Sequence, residues 1–102
     1  MRAPEECRSM AELRAEIDRL DRALVAMLAE RAGYIDRAAA LKPGEGLPAR
    51  IGNRIDEVIG NVRGSAVKAG LDPALAETLW RELIEWAIAR EEAAMGAKEN
   101  RA

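Results

Sequence analysis

The chain has 102 residues, one domain's worth of polypeptide, with 16 basic and 18 acidic side chains and a formal charge of −2. It contains no His, no Phe and one cysteine, Cys7, which excludes Ser-His-Asp and Cys-His nucleophiles, His-ligated zinc, a thiolate cage and an internal disulfide. The near-neutral charge offers no footprint for nucleic acid or an anionic membrane, no apolar run approaches the ~18 residues of a membrane span, and Met1-Arg2-Ala3-Pro4-Glu5-Glu6 lacks the start of a signal peptide, so the expected compartment is a reducing cytoplasm.

An apolar content of 49% built mainly from Ala, Leu and Ile, beside 33% charged residues, predicts an all-α chain. Residues 1–9 read as an N-terminal extension. From Leu13 the positions Ile17, Leu20, Leu24, Met27, Arg31, Tyr34, Ala38 and Leu41 alternate steps of four and three, the seam of one long helix over residues 10–41. Ser9-Met10-Ala11-Glu12 supplies a capping box, and Lys42-Pro43 followed by Gly44 and Gly46 ends the helix, because a residue before proline is pushed out of the α region. Such a helix is about 48 Å long, against a radius of gyration of about 13 Å for a compact chain of this size. It cannot bury its stripe within its own globule, so a partner chain is expected, most simply in a two-fold dimer of intertwined helices.

Residues 43–48 read as a loop, either a lid over a ligand or a plain connection. Ile51, Ile55, Val58, Ile59, Val62 and Ala66 then carry a second, shorter helix to about residue 69. Gly52, Gly60 and Gly64 within it mark either a soft helix or a close approach of another helix. Gly70-Leu71-Asp72-Pro73 gives a stop and a restart, with Gly at C′, Asp as N-cap and Pro at the first helical position. The third helix runs through Leu75, Leu79, Leu83 and Trp86 to about residue 95, before a frayed tail at 96–102.

Charged residues on apolar lines are the candidates for chemistry. Arg31 occupies a seam position, as a snorkelling side chain or as a guanidinium that forks onto a carboxylate. Lys42, 11 residues on, returns to within about 20° of Arg31 on the same helix face, about 16 Å further along. Arg14 points about 100° away, either as a solvated surface charge or toward a different cavity, which a two-fold dimer would allow to be the partner's. Arg50 and Arg54 are like charges one turn apart that solvent exposure or an anionic ligand would relieve. Glu91 extends the stripe Trp80, Ile84, Ala87, either as a helix-end glutamate in solvent or as a carboxyl on an apolar face that pairs with a cation or stays protonated, while Glu92 looks outward. Cations around one oddly placed acid suit a small polyanion whose reaction needs positioning and charge stabilisation rather than covalent chemistry.

The stretch MAELRAEIDRLDRALVAMLAERAGYIDRAAALK, the arginine and lysine 11 apart, and GLDPALAETLWRELIEWAIARE together resemble the all-helical chorismate mutases and their relatives, the isochorismate-pyruvate lyases, over residues 4–92. The resemblance implies a three-helix chain in an intertwined homodimer with two sites and no cofactor or metal. It places Arg31 and Arg54 on substrate carboxylates, Arg14 in the partner's site, and Lys42 on the ether oxygen and a carboxylate. Glu91 falls at a glutamine or glutamate position. As a donor to the ether oxygen Glu91 must be protonated, which implies activity that falls as pH rises. The reaction expected first is the Claisen rearrangement of chorismate to prephenate, with elimination of pyruvate from isochorismate to give salicylate as the alternative. A non-catalytic helical dimer is the competing class. Ile51 and Ile55 stand where the mutases carry acids toward the ring hydroxyl, and Ala87 where a small polar residue is common. The Pro4-Glu5-Glu6-Cys7 start is similar to that of the lyases.

Overall fold

A computed structural model of the chain describes residues 1–99, and among them it has three helices and no strand: α1 over Met10–Leu41, α2 over Gly52–Ala69 and α3 over Pro73–Glu99. Short 3₁₀ turns at Pro4–Glu6 and Pro43–Glu45 precede α1 and follow it. The chain divides into two units, Met1–Gly33 and Tyr34–Ala102.

In Met1–Gly33 the start of α1 differs in one bond from a full capping box. Ser9 Oγ accepts from the Glu12 amide at 3.1 Å, but the Glu12 carboxylate accepts from the Arg8 amide at 2.8 Å instead of from Ser9. One side-chain cap and one displaced cap still satisfy two otherwise orphaned donors. The apolar seam beyond is open in the single chain, with Ile17, Leu20, Leu24 and Met27 between 48% and 67% exposed.

In Tyr34–Ala102, α2 and α3 form a helical hairpin. Arg63 pairs with Glu77 and Arg50 with Glu85, so numbers fall on one helix as they rise on the other, as in antiparallel neighbours. The reversal uses the expected residues. Gly70 takes φ +76°, the Leu71 amide donates to the Ala66 carbonyl at 2.8 Å, and Asp72 caps α3 through the Ala74 amide at 2.9 Å. Ala49, Ile59, Ile84 and Ile88 make the core, with Ile55, Val58, Trp80 and Met95 packed on it. The α2 stripe is thus oriented as its periodicity predicts. On α3 the buried line is Ala76, Ile84, Ala87, Ile88 and Glu91, whereas Leu75, Leu79 and Trp86 of the line first read as its seam are each close to half exposed.

Two expectations about termini change. Lys42 stays in the α region at φ −55°, ψ −44° although Pro43 follows. The steric bias is overcome because the Lys42 carbonyl accepts from the Glu45 and Leu47 amides at 3.1 and 2.9 Å, closing the loop on its own start. α3 continues through Gly96 to Glu99 instead of fraying from 96, and positions 100–102 of the expected tail lie outside the described residues.

Candidate active site

Lys42 and Glu91 come together from opposite ends of the unit Tyr34–Ala102. Lys42 directly follows the last residue of α1, its amide still bonded to the Ala38 carbonyl, and its amino group donates to the Ala49 carbonyl at 2.7 Å. The same nitrogen stands 2.6 Å from Glu91 Oε1, with the two side chains 18% and 5% exposed. Of the two fates open to a carboxyl on an apolar stripe, Glu91 takes pairing with a cation. Glu91 Oε1 is buried, and among the described residues the ammonium is its one polar neighbour. The lysine has three N–H bonds, so fixing one on Ala49 leaves donor capacity for a ligand.

Ala87, one turn before Glu91, is buried, and Ile51 and Ile55 are half-buried. Their side chains present only hydrocarbon at these positions. Ile55 also lines a cavity of about 120 Å³ with Arg81, Ile84 and Glu85, well below the ~300 Å³ of a typical small-molecule pocket.

Arg54 is exposed and pairs with Glu57 on its own helix. Arg50 forks onto Glu85 at 2.9 and 2.6 Å. Each arginine of this like-charged pair has its own carboxylate, so their repulsion is relieved without a ligand. In Met1–Gly33, Arg14 is exposed and Arg31 half-buried on α1, and no carboxylate of that unit lies within 4 Å of either. Glu92 is exposed, as its register predicts.

Sequence reasoning missed three features around Lys42: the Ala49 carbonyl, the Arg50–Glu85 fork, and a second fork from Arg90 to Asp36 at 2.5 and 3.0 Å. A backbone acceptor leaves no mark on residue type. Pairs 35 and 54 residues apart have no spacing rule. Only the Trp86–Arg90 spacing of four was visible, and it places the Arg90 guanidinium 5.2 Å from the Trp86 ring centroid.

With this geometry in view, the comparisons with known proteins agree on a class. Residues 13–92 match the family described as chorismate mutase type II, and the chain belongs to that family. It is 33% identical over 92 residues to the isochorismate pyruvate lyase of Pseudomonas aeruginosa, covering 89% of each chain. Among the described residues no helix is long and apolar enough to cross a membrane.

Proposed function

We propose that the chain is an enzyme that breaks the enolpyruvyl ether bond of a cyclohexadiene dicarboxylate, and that its principal reaction is elimination of pyruvate from isochorismate to give salicylate. The observation that carries this reading is the Lys42 ammonium, held by the Ala49 carbonyl beside buried Glu91 with donor capacity left over. As the ring C–O bond breaks, the ether oxygen becomes the carbonyl oxygen of pyruvate, and a ring hydrogen moves to the enolpyruvyl methylene, which becomes its methyl group. No external base, oxidant or cofactor is needed. Negative charge grows on the ether oxygen in the transition state, and a positioned N–H donor there lowers the barrier. Arg31 and Arg54 bind the substrate carboxylates, and Arg14 serves the site of a second copy in a homodimer.

Two observations favour elimination: likeness to the lyase over 89% of both chains, and Ile51 and Ile55 in place of acids that would select the ring hydroxyl of chorismate. The second reading, rearrangement of chorismate to prephenate, is favoured by the family match over residues 13–92 and needs the same donor on the same oxygen. Isochorismate and chorismate consumption measured side by side on purified protein separates them. Faster loss of isochorismate with release of salicylate is expected; faster formation of prephenate makes the mutase reading correct. Inactivity on both leaves a non-catalytic helical dimer. Lys42→Ala should lower kcat by about 10²–10³-fold, the cost of losing one such donor.

A further inference from the structure

We infer that two exposed ion pairs, Asp36–Arg90 and Arg50–Glu85, are positioning pairs that fix the Lys42 ammonium for the reaction proposed above, on which this inference rests. The Lys42 amino group depends on three stretches of chain: the end of α1 that carries it, the Ala49 carbonyl and Glu91 on α3. Each stretch is tied by a forked pair at a neighbouring residue. Arg90, next to Glu91, makes two bonds to Asp36, which lies six residues before Lys42 on α1. Arg50, next to Ala49, makes two bonds to Glu85, which lies six residues before Glu91 on α3. One fork sets the end of α1 against α3, and the other sets the Ala49 carbonyl against α3.

These pairs have the wrong properties to be mainly stabilising. Their side chains are 48% to 58% exposed, where ion pairs add little to folding because water screens them. What a two-point fork does supply is orientation, and Arg90 is aligned further by lying over Trp86. A single-point contact would let the segments swivel. Displacement of a donor by about 1 Å can cost about 10²-fold in rate even when the residue that moved it never touches substrate.

The test uses the full-length protein carrying Asp36→Asn with Glu85→Gln, which removes both forks without changing chain length or core. Steady-state kinetics on isochorismate should show kcat lowered by roughly tenfold with KM nearly unchanged, the mark of lost transition-state alignment rather than lost binding. A second readout needs no substrate. Brief acetylation with acetic anhydride, read by peptide mass spectrometry with exposed Lys68 as internal reference, should label Lys42 several-fold more in the variant. The charge swap Arg50→Glu with Glu85→Arg should recover kcat and Lys42 protection relative to Glu85→Arg alone. Parental kcat with parental Lys42 labelling in the double variant would overturn the inference, as would a charge swap no better than the single reversal. If the parent turns over neither substrate while labelling of Lys42 still rises, the positioning stands and the proposed reaction is wrong.

Discussion

Lys42 Nζ stands 2.6 Å from Glu91 Oε1, with the carboxylate side chain 5% exposed and the amine 18% exposed. A buried pair of this kind is costly to break from one side, because the survivor keeps its desolvation cost and loses its counter-charge. Lys42→Met is therefore expected to destabilise the fold by roughly 3–5 kcal/mol. Glu91→Gln should cost less, since Lys42 keeps the Ala49 carbonyl. The double variant should be more stable than Lys42→Met alone. Thermal denaturation of the three variants checks the cycle; additive losses would show that the pair is not coupled.

The same pair bears on turnover. As a carboxylate Glu91 competes with the substrate for Lys42, and Glu91→Gln removes that charge while keeping N–H donors at the position. Glu91→Gln is therefore expected to match or exceed the parent in kcat. Steady-state kinetics of the two proteins decide the matter, and a large loss of kcat in Glu91→Gln would show that the carboxylate itself is needed.

The helices were legible because their signals are local. The four-three spacing from Leu13 to Leu41, the Gly70-Leu71-Asp72-Pro73 reversal and the stripe from Ile51 to Ala66 each act within one or two turns, and each matches an observed element. Of the candidate site, Glu91 was legible as a carboxyl on an apolar face and Lys42 as a cation ending a seam. Their contact was not, because it spans 49 positions and is set by how the loop after Lys42 closes. The inward face of α3 was misjudged in part because the helix is apolar on two sides. The Leu75, Leu79, Trp86 line and the Trp80, Ile84, Ala87 line both satisfy helical periodicity, and only packing against α2 decides that Ile84 and Ala87 go inside.

Gly60 and Gly64 lie inside α2, and a Cβ built at either meets nothing within 4 Å. Alanine there removes backbone freedom from the unfolded chain and adds no clash within this chain. Each Gly→Ala substitution should therefore stabilise by about 0.5–1 kcal/mol. Denaturant unfolding measures it. A loss of stability would mean that a second chain packs closely over these positions.

Asp36, Glu77 and Glu85 are all held below the usual carboxylate range, chiefly by hydrogen bonds from Arg90, Arg81 and Arg50 respectively. A carboxylate with a lowered folded-state pKa contributes stability that is fully present above its ordinary value and is lost as pH falls through the lowered one. The fold should thus hold constant stability from neutral pH down to the ordinary carboxylate range, near pH 4, and weaken below it. Because these groups are exposed, added salt should shrink the effect. Melting temperatures from pH 7 to pH 2.5 at low and high salt test both points. The change should be small, and a fall in melting temperature below pH 4 that added salt leaves undiminished would contradict its assignment to these exposed pairs.

The seam of α1 in Met1–Gly33 leads to the most consequential expectation. Ile17, Leu20, Leu24 and Met27 are between 48% and 67% exposed in the single chain, one apolar line at helical spacing with no cover in its own unit. Burying the roughly half of each side chain that is still exposed is worth about 0.7–1.5 kcal/mol per residue, a gain that adds up along the line. A second copy offers the same line, and two-fold pairing covers both at once. Light scattering should give twice the chain mass. Thermal stability should rise with protein concentration, since unfolding is then coupled to dissociation. Leu20→Glu with Leu24→Glu places two charges in the line and should abolish the dimer, and with it any activity that depends on Arg14 of the second copy. Adding an Arg14→Ala chain to a Lys42→Ala chain provides the sharper test. If each site takes Arg14 from one copy and Lys42 from the other, mixed dimers contain one site with both residues intact, and activity returns on mixing two inactive proteins. A folded monomer by light scattering, or no recovery on mixing after subunit exchange has been verified, would show that the site is completed within one chain.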